Sequence, residues 1–256
     1  MSVRVDVKRT GPQLLLDSYT FNYSFFIKER SININNKIEK LAFSHGGINE
    51  ADGFTEPTTL EVEGIIYGDT SLLCEQNFKA LNSAFLEGGK LSINDDIVSR
   101  YIDVSPAKIS SEWIRYPFVK SVNILFNIEF PFFLDTAETT QPAVLTGNTT
   151  FTIDATGSVA NILPVINVIA HSVDIPNFKL QNTTDGGIFI EYVNPYFITG
   201  DKVEINNSLG TIKRNGIDEI AFFYDGSFLR LKPGVNTFVW TGQAATLEFI
   251  FRKTYV

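Results

Sequence analysis

A mostly β chain in two domains is what this sequence predicts, on three observations. The stretch 200–242 is punctuated by turn dipeptides: Gly200-Asp201, Asn206-Asn207, Asn215-Gly216, Asp225-Gly226 and Pro233-Gly234. The runs between them are short, alternating or apolar, and lack helical periodicity, which is the pattern of a compact antiparallel sandwich. Composition leans the same way, with 22 Phe against one Met and two Trp, since Phe, Ile, Val and Thr favour strands. A polar, Thr-rich, Pro-bounded piece at 135–142 separates two halves of different character. The expected domains are 1–134, β-barrel or sandwich-like with one α-helix and an extended arm, and 142–256, an antiparallel β-sandwich.

Val3, Val5 and Val7 alternate with Arg4, Asp6 and Lys8, the period of a half-buried strand. Beyond the Gly11-Pro12 turn, residues 14–16 and 19–27 read as strands. Residues 31–57 are different. They are polar, turn glycine-rich from Ser44 to Gly53, and carry Ile32, Ile34 and Ile38 along one apolar edge. Such a run is expected to be an arm that another subunit covers. Residues 58–66 form a strand with Leu60, Val62 and Gly64 on one face and Glu61 and Glu63 on the other. Two carboxylates so placed on a strand read as a solvated face.

The spacing of Leu73, Cys74, Phe78, Leu81, Ala84 and Phe85 predicts an amphipathic helix over 71–87. Asp69, Thr70 and Ser71 offer its N-cap, and Gly88-Gly89 ends it. Cys74 falls on the apolar face, as a buried structural thiol. Three further strands are expected at 90–93, 100–104 and 118–130. The second domain is expected to hold about nine strands and no helix, among them 144–146, 149–153, 164–170, 178–181, 188–192 and, last, 245–251.

The net charge of −8 argues against general binding to a phosphate backbone. One cysteine allows no intramolecular disulfide. The first residues lack an apolar leader core, and no run approaches the ~18 apolar residues of a membrane span. His45 and His171 are far apart in sequence, without the short-spaced ligands of a zinc site. No Gly-x-Ser-x-Gly elbow occurs, and Leu86-Glu87-Gly88-Gly89-Lys90 lacks the first glycine of a phosphate loop. The expectation is therefore no enzyme, no cofactor and no metal. Tyr192, Tyr196, Phe222, Phe223, Tyr224 and Trp240 gather in the second domain. They fill its core or cover a subunit contact, and on a regular strand Phe222 and Phe223 face opposite ways, so at most one is core. The other reading makes Tyr192, Tyr196 and Trp240 an exposed sugar platform.

Two stretches resemble the distal tail proteins of long-tailed bacteriophages. The first is Gly53-Phe54-Thr55-Glu56-Pro57, the strand to Gly64, Gly68-Asp69-Thr70, the helix with Asn77 and Leu81, Gly88-Gly89 and Arg100-Tyr101-Ile102-Asp103-Val104. The second runs from Gly200-Asp201-Lys202 through Asn215-Gly216 and Phe228-Leu229-Arg230-Leu231 to Pro233-Gly234-Val235-Asn236. The resemblance implies a virion structural protein forming a hexameric ring at the tail tip, made in the host cytoplasm. An N-terminal β domain would carry a belt-like arm, with Ile32, Ile34 and Ile38 at the ring contact, and a galectin-like sandwich would project outward. The implied partners are copies of itself, the tail tube protein, the tail-tip hub and receptor-binding proteins. DNA would pass through a central channel without specific binding. The sugar-binding signature of true galectins is missing, because Trp240 is followed by Thr241 and no His-x-Asn-Pro-Arg occurs. A carbohydrate-binding adhesion module that recognises a host wall polysaccharide is the alternative reading.

Overall fold

The computed structural model describes residues 13–17, 19–21, 25–30, 58–94, 99–128, 130, 132–171 and 173–255. The expected strand over residues 3–7 and the arm at 31–57, with Ile32, Ile34, Ile38 and His45, lie outside the described residues. The chain divides into two compact units, with a break between Thr136 and Ala137.

The N-terminal unit contains β1 (Gln13–Leu16), β2 (Tyr19–Thr20), β3 (Phe26–Arg30), β4 (Thr58–Tyr67), α1 (Ser71–Glu87), β5 (Gly89–Asn94), β6 (Ser99–Arg115), β7 (Val119–Ile128) and β8 (Phe133–Asp135). The expected strand at 19–27 is thus interrupted between β2 and β3. The sheet runs β2-β1-β5-β6-β7-β4-β3, with antiparallel neighbours and β8 alongside β6. Among the described residues it ends at β2 and β3, so the unit is open rather than the closed barrel named as one expectation. Its spine is β6. Residues 99–104 pair with β5, and residues 105–115 pair with β7, with bulges between Pro106 and Lys108 and between Trp113 and Arg115. Bulges raise local twist and turn one strand from one pairing environment into another.

β4 alternates as its sequence requires. Leu60, Val62 and Ile66 are buried beneath α1, while Glu61 and Glu63 look the other way. The Thr70 hydroxyl accepts from the Leu73 N–H at 3.2 Å and caps the helix. Cys74, Leu81 and Phe85 are its buried residues, and Phe85 lies 5.6 Å from the Phe126 ring. Leu73, expected on the same face, is exposed because it sits in the first turn, at the rim of the sheet. Gly88 ends the helix at φ 67°, where a Cβ would meet the Val104 carbonyl oxygen at 2.9 Å. Lys120 is buried. Its ammonium lies 2.8 Å from Glu75 and over the rings of Trp113 and Phe78, at 4.5 and 4.7 Å.

The C-terminal unit contains β9 (Thr139–Leu145), β10 (Thr149–Ala155), β11 (Val165–Ile169), β12 (Asn177–Asn182), β13 (Ile188–Val193), β14 (Lys202–Asn206), β15 (Thr211–Arg214), β16 (Ile217–Asp218), β17 (Phe223–Gly226), β18 (Gly234–Gly242), β19 (Ala245–Phe251) and β20 (Thr254–Tyr255). Two antiparallel sheets, β10-β18-β12-β13-β17 and β16-β15-β14-β11-β19-β9, enclose one apolar core. Pro142, expected as the first residue of the domain, lies inside β9 opposite Glu248. A 3-10 turn at Ile220–Phe222 stands where no helix was expected.

Candidate assembly surfaces

Tyr192 and Trp240, expected in the alternative reading to present a sugar platform, are 0% exposed. Tyr192 shares a face of β13 with Ile190, and Trp240 shares a face of β18 with Phe238, so a period of two turns both inward. Phe178 stacks between them, 5.2 Å from Tyr192 and 5.0 Å from Trp240. The indole N–H donates to the Gln243 carbonyl at 2.9 Å, which satisfies the one polar atom of a buried Trp. Only Tyr196 is exposed, at 66%, and three residues of which two are core make no platform. Phe222 and Phe223 both pack partly against the core, because the 3-10 turn breaks the alternation assumed for a regular strand. Burial pushes the Cys74 thiol up, as befits a structural residue. Among the described residues, no group of three or more His, Cys, Asp or Glu could hold a metal, and no helix is long and apolar enough to cross a membrane.

Three surfaces remain. The first is the outer edge of β6. Over 105–115 its only partner among the described residues is β7, so one row of backbone donors and acceptors faces outward. The second is apolar and adjoins that edge. The β6–β7 hairpin tip carries exposed Ile114, Tyr116 and Phe118. Tyr67 is level with it, opposite Val119, and the Gly68 N–H donates to the Phe118 carbonyl at 3.0 Å. Leu72 and Leu73 of the first turn of α1 extend the patch. Contiguous exposed apolar residues of this kind mark interaction surfaces in soluble proteins. On the open face behind them, Glu61, Lys108, Ser110, Asn123 and Leu125 line a shallow depression of about 250 Å³, where the Asn123 amide donates to Glu61.

The third surface is on the C-terminal unit. Glu219 accepts from the Tyr192 hydroxyl at 2.5 Å, from Asn194 Nδ2 at 2.7 Å and from Arg214 Nε at 2.9 Å. Arg214 also donates through Nη1 to Asp201 and to the Tyr196 carbonyl, both at 2.9 Å. Asp201 accepts from Asn215 Nδ2 at 2.7 Å and from the Ile198 N–H at 3.3 Å. Burial pushes the Tyr192 hydroxyl well above its ordinary range, and the Glu219 carboxylate adds to this. Burial works to raise Asp201, but hydrogen bonds from Asn215 and Arg214 outweigh it and hold the carboxyl below its ordinary value. The Arg214 guanidinium is correspondingly raised by Asp201 and Glu219. Around this network Tyr196, Ile198, Ile217, Ile220 and Tyr224 are exposed. The network therefore braces a short apolar rim from beneath. Its six polar residues come from three stretches, 192–194, Asp201 and 214–219, so no single local spacing in the sequence announces the whole.

Residues 156–255 match the family model for the SPP1 Dit siphovirus-type tail component, C-terminal domain. No curated protein matches the chain. Among solved structures, the chain is similar to the crystal structure of Dit (gp 19.1) of phage SPP1, named as a paradigm of the hub adsorption apparatus in Gram-positive infecting phages. The TM-score is 0.68 at 19% identity, covering 94% of this chain and 98% of that chain. The baseplate of phage P2 in its activated conformation with Ca gives a TM-score of 0.38 at 10% identity, covering 96% of this chain and 99% of that chain. The resemblance seen in the sequence thus holds, in sequence for the C-terminal domain and in fold for the whole chain.

Proposed function

We propose that this Dit-like phage tail component is a structural, non-catalytic subunit of a six-fold ring at the distal end of the tail. The observation that carries the reading is the pair of free edges in the N-terminal unit. Among the described residues, the stretch of sheet β6(105–115)-β7-β4-β3 leaves β6 unpaired on one side and β3 unpaired on the other. An edge of one copy that adds to the opposite edge of the next makes a head-to-tail contact, and such contacts form a ring when the rotation from copy to copy closes. The apolar edge of Ile32, Ile34 and Ile38 in the polar stretch 31–57 supports the same reading, as a segment suited to lie on a neighbouring copy. The hairpin-tip patch serves stacking on the tail tube or the tail-tip hub, and the braced rim of the C-terminal unit serves receptor-binding proteins. The ring encloses a channel for DNA. A net charge of −8 supports passage without adhesion. The protein is made in the host cytoplasm and works in the virion tail.

Consecutive residues of an antiparallel strand point their N–H groups alternately toward the partner and away. Residues 108–113 pair regularly with β7, so of Ser110 and Ser111 one has its N–H on the free edge. Proline at that position leaves the fold intact and abolishes the ring, while proline at the other weakens the hairpin itself. Circular dichroism with light scattering on the full chain separates the two. Rings that persist in both folded variants contradict the reading.

A further inference from the structure

We infer that Asn215-Gly216 is a self-modification site whose conversion releases the brace beneath the C-terminal apolar rim. It is the chain's one Asn-Gly pair. It forms the turn between β15 and β16, where Arg214 pairs with Ile217. Asn215 and Gly216 sit at φ 48° and 83°, the left-handed geometry of a tight hairpin turn. Glycine leaves its own nitrogen unshielded, because it has no Cβ. In such a pair the Gly216 nitrogen attacks Asn215 Cγ, the Cγ–Nδ2 bond breaks, and ammonia leaves. Water then opens the cyclic imide at either carbonyl, giving aspartate or isoaspartate at position 215.

Both ends of the Asn215 amide are held in the folded chain. Nδ2 donates to Asp201 Oδ1 at 2.7 Å, and Oδ1 accepts from the Lys202 N–H at 3.0 Å. A side chain gripped at donor and acceptor cannot swing its Cγ toward the Gly216 nitrogen, so the turn is protected while the network is closed. Breaking these bonds for the reaction slows it by roughly five- to thirtyfold relative to a free chain. Once converted, position 215 has no donor left for Asp201. It places a second carboxylate beside that of Asp201, and isoaspartate also lengthens the backbone at the turn. Arg214 is then drawn between two acids on one side and Glu219 on the other. Its grip on the Tyr196 carbonyl, and Asp201's on the Ile198 N–H, is what the rim loses. The Asp185 cluster elsewhere in this unit, with Arg230 Nε at 2.6 Å and Lys232 at 3.1 Å, holds no Asn-Gly and stays as it is.

The test incubates the full chain and a free peptide spanning 211–218 at mildly alkaline pH, and follows the amide-to-acid mass gain at position 215. The full chain is expected to convert several-fold more slowly, and Asp201→Asn, which weakens the grip but keeps the volume, to convert faster than wild type. Equal rates in chain and peptide overturn the protection, as does an Asp201→Asn rate equal to wild type. Hydrogen exchange on Asn215→Asp reads the consequence. Protection should fall at residues 196–202 and be kept in β11 and β19, and unchanged protection at 196–202 overturns the release. Because exchange and mass gain do not depend on ring formation, these outcomes are independent of the assembly reading.

Discussion

Trp240 shows how much one side chain's meaning depends on which face it occupies. Fully buried, stacked on Phe178 and hydrogen-bonded through its indole, it is a structural residue. Trp240→Ala should cost about 3–5 kcal/mol, read as a shifted urea midpoint for the C-terminal unit. A variant as stable as wild type would contradict that placement. The signal was in the sequence, since Phe238 two residues earlier assigns Trp240 to the inner face of a strand. Reading aromatic residues as a group, without the strand period, hides it. Asp201 carries a pH prediction. Its folded pKa lies below the ordinary value, so its contribution to stability is complete above the usual carboxylate range and fades as pH falls through the folded value. Asp201→Asn should therefore be less stable than wild type near neutrality, and the gap should shrink below roughly pH 4. A gap that is constant with pH would show that the carboxylate's charge contributes nothing.

At the scale of elements, the bounds and cap of α1 were legible, though not the exposure of Leu73, and the full length of β6 was not. The helix has a capping hydroxyl, apolar spacing and a terminal glycine, and each is a local signal that no other part of the chain has to complete. Leu81, fully buried on its inner face, should cost about 2–5 kcal/mol when cut to alanine. Phe78 is half-buried and lies under the Lys120 ammonium, so Phe78→Ala should cost less than Leu81→Ala in the same denaturation assay. If the order is reversed, the helix packs by a different face. β6 runs on through Lys108, Ser110, Ser111 and Glu112, where alternation disappears because neither face is fully covered and, among the described residues, one edge has no partner. A strand whose second half is exposed on both faces carries no hydrophobic period, which is why the sequence suggested an end at Val104. The Glu219–Arg214–Asp201 network was illegible for a different reason. Its members meet only after β13, β14 and β15 are in register.

For the whole molecule, the two-unit division and the assembly surfaces make separate predictions. The break at Thr136 puts all of β9 with the C-terminal unit, so a fragment covering 137–256 should fold alone with a cooperative thermal transition. A fragment starting at Pro142 lacks the first half of the pairing with β19 and should be less stable. Similar stability of the two would mean that β9 adds nothing. The central claim is that free sheet edges in the N-terminal unit close copies of this chain into a ring. The most direct measurement is negative-stain imaging of the purified full chain, with light scattering on the same sample. Closed rings of six-fold symmetry, with a mass to match, are the predicted result, and a monodisperse monomer at every concentration would contradict it.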